Sequence, residues 1–307
     1  MICDEQYKRI MSLEIEINGK TFESPLMNAA GILGTTASSL KRLADNGSGA
    51  VVTKTISHKP KEGNKGPNLI ETNYGALNSM GLPNPGAKNY LDELKSLKPL
   101  NKPVICSVFG ETPRDVKKVG RLLKEYVDIF ELNLSCPNIE GEVISSDPEI
   151  VKKYVEEFAH ITNKPIWVKL SPSSDNIVNV SLAASEAGAD SLVLINTLKG
   201  MLIDIESGRP ILGNKTGGLS GEAIHPIAIE IIYQVYKKID IPIIGVGGVS
   251  DNEKAIEMVM AGAKALQIGT ALKDDIGIFK RINKGIKSYL QEKNIDLMDI
   301  VGLSHKY

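Results

Sequence analysis

Cys136 stands between two carboxamides in the run Asn133-Leu134-Ser135-Cys136-Pro137-Asn138, directly after the apolar stretch Val127-Asp128-Ile129-Phe130-Glu131-Leu132. Proline cannot donate to a sheet ladder, so Pro137 ends a strand at Cys136 and turns the chain into a loop, the usual mount for reactive groups. A lone cysteine is most often a small buried hydrophobe. Asn133 and Asn138 shift that reading, because carboxamides beside a buried thiol are costly unless a polar planar ligand or another partner meets them. Lys54 closes one apolar run and Lys169 another. Lysines at strand ends commonly snorkel to water. Two at equivalent positions instead point to an anionic or electron-rich ligand whose developing negative charge they would stabilise. Asn196-Thr197 closes a further run and offers a carboxamide and a hydroxyl to the edge of a planar amide.

Eight short apolar runs must position these groups: residues 26–30, 50–54, 104–108, 129–134, 166–170, 191–195, 243–246 and 265–268. Runs apolar on both faces are buried parallel strands, and helical periodicity fills the gaps between them. In residues 148–158, for example, Ile150, Val151, Tyr154, Val155 and Phe158 share one face and Asp147 is placed to cap it. The series predicts an α/β chain folded as a (β/α)8 TIM barrel, whose active-site rim lies at the strand C-termini. Gly245-Val246-Gly247-Gly248-Val249-Ser250 follows strand seven and Gly269-Thr270 strand eight, where barrels cradle phosphate on backbone N–H groups. Turns that need glycine for conformation alone are the alternative. A Rossmann fingerprint is rejected, because Ser250 occupies the third glycine position and the element comes late in the chain.

Leu13-Glu14-Ile15-Glu16-Ile17, the turn Asn18-Gly19 and Lys20-Thr21-Phe22 predict a β-hairpin that closes one end of the barrel. Residues 59–85 and 199–221 are long glycine-rich rim loops. Within the first, Asn78-Ser79-Met80-Gly81-Leu82 suits a substrate wall as well as it suits a plain surface turn. Regular patterning starts at Leu13, so residues 1–12 are expected as a frayed tail, with Met11 a second candidate start, and residues 13–307 as a single barrel domain.

The chain has 307 residues, 42% hydrophobic and 24% charged, enough for one large core. A formal net charge of -1 and 5% aromatic residues give none of the basic field expected of a nucleic-acid binder. Cys3, Cys106 and Cys136 are few and far apart, so neither a disulfide framework nor a zinc or iron-sulfur site follows from them. The N-terminal residues carry Asp4, Glu5, Lys8 and Arg9 without an apolar core, which predicts neither secretion signal nor membrane anchor and places the protein in the cytoplasm.

Taken in order, residues 133–138, Lys54-Thr55, residues 78–82, 196–201, 215–221 and 245–248 resemble the dihydroorotate dehydrogenase family, and the likeness runs from about Leu13 to the C-terminus. The resemblance implies a barrel with FMN at its rim and dihydroorotate lying against the flavin ring. Cysteine at position 136 is similar to class 1, since class 2 enzymes place serine there and carry an N-terminal membrane segment. Residues 196–201 and 215–221 resemble subclass B, which works with an electron-transfer subunit holding FAD and a [2Fe-2S] cluster, two chains of each kind, and passes electrons to NAD. By motif, Cys136 would be the base that takes the C5 proton while the flavin accepts the C6 hydride. Lys54, Asn78, Ser79, Met80, Gly81, Leu82, Asn133, Asn196 and Thr197 would bind substrate. Ala30, Lys54, Thr55, Asn133, Lys169, Ile195, Gly221, Gly247, Gly248, Gly269 and Thr270 would hold FMN. The family often has asparagine where Ser107 stands, so no flavin contact is carried over there. The alternatives are a class 1A-type enzyme using fumarate, a flavin barrel resembling dihydropyrimidine dehydrogenase or tRNA-dihydrouridine synthase, and a non-catalytic barrel for a phosphorylated metabolite.

Overall fold

All eight expected strands form and are parallel: β1 (Leu26–Asn28), β2 (Val51–Val52), β3 (Val104–Val108), β4 (Ile129–Asn133), β5 (Ile166–Lys169), β6 (Ser191–Leu194), β7 (Ile243–Val246) and β8 (Ala263–Ile268). The computed structural model describes residues 12–135, 143–172 and 176–307. The strands are hydrogen-bonded in the order β1-β8-β7-β6-β5-β4-β3-β2, and a bridge between Met27 and Ala50 brings β2 back beside β1. The sheet is therefore a closed barrel. Helices α1 (Ala37–Asp45), α2 (Ala87–Ser96), α3 (Pro113–Leu123), α4 (Pro148–Ala159), α5 (Ile177–Glu186), α6 (His225–Tyr236), α7 (Asn252–Ala261) and α8 (Ile278–Lys293) surround it.

Local chemistry starts these helices where the sequence says. Thr112 caps α3 by accepting the N–H of Asp115, and Asp147 caps α4 by accepting that of Glu149, each followed by a proline that needs no donor at the first helical position. On α4, Val151, Tyr154, Val155 and Phe158 are buried, and Phe158 meets Phe130 of β4 edge-on at 5.1 Å. The core lies between strands and helices, and inside the barrel the apolar seal of Phe22 and Trp167 is followed by buried polar side chains.

The hairpin Ile15–Ile17 and Lys20–Phe22 plugs the barrel at its N-terminal end. Phe22 stacks on Trp167 of β5 at 6.1 Å, and the turn residue Asn18 accepts from the Trp167 indole N–H and the Ser191 hydroxyl while donating to the Asp190 carbonyl. Every polar group of that turn side chain is thus paired at the seal. The two long rim segments are more ordered than loops. Leu69–Thr72, Gly75–Asn78, Gly217–Ser220 and Leu198–Gly200 form a four-stranded antiparallel sheet over the opposite rim. The expected pair of loops is one sheet because each supplies strands to the other, a pairing over 140 residues apart that no local pattern announces.

The seam between β1 and β2 depends on one side chain. Asn28, with no exposed surface, accepts from the Val52 N–H at 2.9 Å and donates to the Val52 carbonyl at 2.7 Å and the Ile32 carbonyl at 3.1 Å. Its amide replaces the peptide that a longer strand would have offered. Asn28→Ala orphans both Val52 backbone groups, and at about 1–3 kcal/mol per buried unpaired group it is expected to lower the unfolding free energy by about 2–4 kcal/mol. An unshifted urea midpoint at constant slope would show that the seam closes without it.

Candidate functional site

A continuous polar chain crosses the C-terminal rim. The Asn196 amide donates to the Ser135 hydroxyl, which donates to the Asn133 carbonyl oxygen at 2.5 Å. The Asn133 amide in turn donates to the Thr55 hydroxyl at 3.2 Å, and Thr55 shares a hydrogen bond with Ser107 at 3.0 Å. These residues come from the ends of β6, β4, β2 and β3, so the chain forms only once these strands are assembled side by side. It also fixes the orientation of both carboxamides, because the oxygen and the nitrogen of each are already engaged, leaving one N–H of each and a lone pair of Asn196 for a ligand. Asn133 and Thr55 are buried, and the Thr55 hydroxyl works mainly to orient Asn133.

Above this chain the rim sheet places the substrate-wall residues. Asn78 donates to the Gly218 carbonyl at 3.2 Å, and a Cβ added to Gly218 would lie 2.0 Å from the Thr197 hydroxyl, so the bare glycine makes room for Thr197 beside Asn78. Thr197 is held by its own N–H, which donates to the Asn196 side chain at 2.8 Å. The Ser79 hydroxyl is buried and has no hydrogen-bond partner among the described residues, an orphan that a ligand would satisfy. Gly81 and Leu82 carry φ angles of 72° and 56°, which turn the chain sharply, and Leu82 packs on the apolar core rather than joining the polar cluster. Met80 holds the loop through its carbonyl, which accepts the Asn64 N–H at 3.0 Å.

Lys54 reaches back over the loop that follows β1 and Ala30. The Lys54 backbone N–H donates to the Gly34 carbonyl, and its ammonium passes over Gly31, where a Cβ would come within 3.5 Å. Lys169 lies inside the barrel, 4% exposed, and donates to the Gln267 side chain at 3.3 Å; Gln267 donates to Glu131 at 2.6 Å. Strands β4, β5 and β8 are not all neighbours in the sheet, so this trio spans the barrel interior. No carboxylate among the described residues lies within ion-pair distance of the Lys169 ammonium. A buried cation in that state is poised for an anion on its open side.

The glycine loops converge as expected of an anion cradle. A Cβ on Gly248 would lie 2.9 Å from the Gly221 carbonyl, one on Gly247 would lie 3.7 Å from Ile195, and Thr270 donates to Ser220 beside Gly221 at 2.8 Å. Gly269 lies against Ala29 of the neighbouring strand end, next to Ala30. The loop after β7 lies against the start of α6, which has no side-chain cap. Backbone donors at a helix N-terminus suit a phosphate. These residues fit the phosphate of FMN, and Lys169 fits the electron-rich part of its ring. Ile195 is itself buried, and its backbone N–H is taken up by the Val246 carbonyl at 2.9 Å.

Ser135, Glu131, Gln267 and His225 stand in or beside the site without a sequence expectation, and Ser107, for which no flavin contact was carried over, shares a hydrogen bond with Thr55. Glu131 and Gln267 are legible as polar residues inside otherwise apolar strand runs, whereas Ser135 carries no such mark. Cys136, Pro137 and Asn138 lie outside the described residues.

A barrel with a polar rim, a buried ammonium whose described partner is a neutral amide, and glycine loops after strands seven and eight has the layout of a phosphate-binding (β/α)8 protein. The chain belongs to the dihydroorotate dehydrogenase family, whose sequence profile matches residues 12–290. It is 46% identical over 96% of its length to the catalytic subunit of dihydroorotate dehydrogenase B (NAD(+)) from Methanocella arvoryzae, covering 99% of that protein. The corresponding subunit of Methanosarcina mazei is 47% identical over 94% of each chain, and that of Pyrococcus furiosus 43% identical over 96% of this chain and all of the relative. The fold is shared with a dihydroorotate dehydrogenase from Eimeria tenella solved with ferulenol, at a TM-score of 0.83 and 22% identity over 96% of this chain and 89% of that one.

Cys106 shows why one thiol was worth separating from the others. It is fully buried on β3, and burial pushes its pKa from an ordinary 9.0 up to about 12; a hydrogen bond from Thr53 offsets part of this, and the Glu131 charge adds to it. The unfolded thiol ionises at lower pH than the folded one, so this contribution to stability is present below about pH 9 and is lost as pH rises towards 12. Such a thiol is inert. Alkylation at mildly alkaline pH followed by peptide mass mapping is expected to leave Cys106 unmodified in the folded protein and to label it in denaturant. Labelling of Cys106 in the native state would contradict its burial.

Proposed function

We propose that this chain is the catalytic subunit of an NAD-linked dihydroorotate dehydrogenase and oxidises (S)-dihydroorotate to orotate in pyrimidine synthesis. The observation that carries the reading is the buried Lys169 ammonium, unpaired by any described carboxylate, at the floor of a rim lined with carboxamides. Family membership supplies the substrate class, and the donor set agrees with it: a dihydropyrimidine with a carboxylate presents amide N–H and carbonyl groups, which carboxamides can both donate to and accept from, together with an anion for Lys54.

FMN, when bound, supplies the two-electron acceptor for the C6 hydride. Ala30, Lys54, Thr55, Asn133, Lys169 and Ile195 would hold its ring and chain, and Gly221, Gly247, Gly248, Gly269 and Thr270 its phosphate. Lys169 would stabilise negative charge that builds on the cofactor side. Asn78, Ser79, Asn133, Asn196 and Thr197, with the turn Met80-Gly81-Leu82, would orient the substrate so that its C5 proton meets a base. Cys136 is assigned as that base from its place in the sequence, one residue beyond Ser135, whose hydroxyl already links Asn133 and Asn196. An ordinary thiol has a pKa of about 8.5, so turnover limited by proton removal is expected to rise with pH from neutral to mildly alkaline conditions.

The relatives' names describe a catalytic subunit of an NAD(+) enzyme. We assign to this chain a partner subunit with FAD and a [2Fe-2S] cluster, two copies of each chain in the assembly, and the cytoplasm as its setting. No helix among the described residues is long and apolar enough to cross a membrane. Co-purification from the native source, with a spectrum showing iron-sulfur absorbance beside flavin, tests the partner.

The activity is tested by mixing the FMN-loaded protein anaerobically with substrate. Dihydroorotate is expected to bleach the flavin absorbance and dihydrouracil to leave it unchanged, and the reverse outcome would move the chain to the dihydropyrimidine enzymes. Cys136→Ala is expected to retain FMN and to slow the bleaching by about 10²–10⁴-fold, the usual worth of a positioned base. Bleaching at the normal rate would remove Cys136 from that role.

A further inference from the structure

Glu131 is a fully buried carboxylate that the proposed chemistry does not use. The register of β4 against β5 sets it beside Trp167, one inward-facing residue nearer the plug than Asn133 and Lys169, which pair in turn. An apolar side chain at that depth would cost less to bury. Glu131 Oε2 accepts from the Gln267 amide at 2.6 Å, while Oε1 has no hydrogen-bond partner. Among the described residues, the one side chain that Glu131 engages by a hydrogen bond is therefore Gln267.

Gln267 comes from the far wall. In the ring of eight strands β8 stands four places from β4 and three from β5, so its side chain meets both only across the interior. It is 1% exposed. Its two contacts dictate which end of the amide goes where. The Lys169 ammonium only donates and so requires the amide oxygen, which it reaches at 3.3 Å; the Glu131 oxygen accepts and so requires the amide nitrogen. A turned-over amide would set N–H against ammonium and oxygen against oxygen. Without the Glu131 acceptor, half of that constraint is gone and the amide can turn about its last side-chain bond.

A lysine ammonium is a point charge on a flexible four-carbon stem, so its place has to be set by what it touches. Gln267 is the partner that the described residues give the Lys169 ammonium. The chemistry of that partner matters. A carboxylate in contact would offset the charge, whereas a neutral amide fixes the ammonium and leaves its field to act on the open side.

We infer that Gln267 is the positioning residue for Lys169, with Glu131 locking the Gln267 amide in the orientation that accepts from the ammonium. The inference rests on the reading of Lys169 as the cation beside the FMN ring.

The test is the affinity of the full-length, FMN-loaded protein for sulfite. Sulfite adds through its sulfur to N5 of oxidised flavin, its electron pair passing into the ring, and the bleached adduct carries negative charge there that a nearby cation stabilises. Turnover plays no part in this readout. Lys169→Met is expected to raise the sulfite dissociation constant most. Gln267→Met is expected to raise it about tenfold, the scale of a hydrogen bond to a charged group, and to raise it no further when added to K169M. The double variant separates positioning from general damage, because a merely structural loss would weaken both backgrounds. Glu131→Gln and Glu131→Met both remove the carboxylate, but E131Q keeps an oxygen for the Gln267 amide and E131M keeps none. E131M is expected to bind sulfite more weakly than E131Q by a factor similar to that of Q267M. This pair decides the matter by itself if Q267M does not retain FMN, and the Q267M pair does so if E131M does not. Unchanged sulfite affinity in Q267M, an equal further loss in the K169M background, or equal affinities in E131M and E131Q overturns the inference and leaves Lys169 in its role. A K169M protein that keeps FMN and binds sulfite normally overturns that role and the inference together.

Discussion

The barrel closes on a side chain. β2 has only two residues in strand pairing, and the amide of Asn28 completes the join to β1 by bonding both backbone groups of Val52. Lys54 follows that seam by two residues and Ala30 stands just across it, so the rim cations and the first loop take their spacing from this one carboxamide. A short strand at the seam leaves the backbone free to turn early, which lets the loop after β1 fold back until the Gly34 carbonyl receives the Lys54 N–H. The Tyr90 hydroxyl donates to the same carbonyl at 2.8 Å and ties the arrangement to α2.

Inside the closed barrel, polarity is layered. Trp167 and Phe22 seal the N-terminal end with apolar surface, Glu131, Gln267 and Lys169 form a buried polar layer above them, and the chain from Asn196 to Ser107 forms the rim. Burying such groups costs stability unless their hydrogen bonds are made, and a partly made network is worse than apolar filling. Here the network is nearly complete except at one Glu131 oxygen, at Ser79 and on the open side of Lys169. Ser79 and Lys169 face the region where the ligands are assigned. The Glu131 oxygen is a buried orphan for which the structure gives no physical account.

The rim sheet does a different job. Two segments distant in sequence pair through Asn78 and Gly218, and the glycines at the contact allow backbones to approach where any Cβ would collide. Thr197 and Asn78 are brought side by side from opposite parts of the chain as a result. A wall built from paired strands is also stiffer than two loops, which favours a fixed substrate orientation over an adaptable one.

Much of this was legible in the residues alone. Strand positions, the hairpin plug, the cap at Asp147 and the glycine cradle all follow from local rules: apolar runs, turn residues, capping chemistry and the positive φ that glycine permits. Lys169 was legible as a rim cation, but not as a cation whose only described partner is a neutral amide. The rim sheet, the Asn28 seam, the relay through Ser135 and the Gln267 bridge between Lys169 and Glu131 were decided by tertiary structure. Each joins residues far apart in the chain, and a hydrogen-bond partner supplied by another strand leaves no trace in the local pattern around either residue. Sequence determines which groups are available and which elements carry them; closing the barrel determines which of those groups meet.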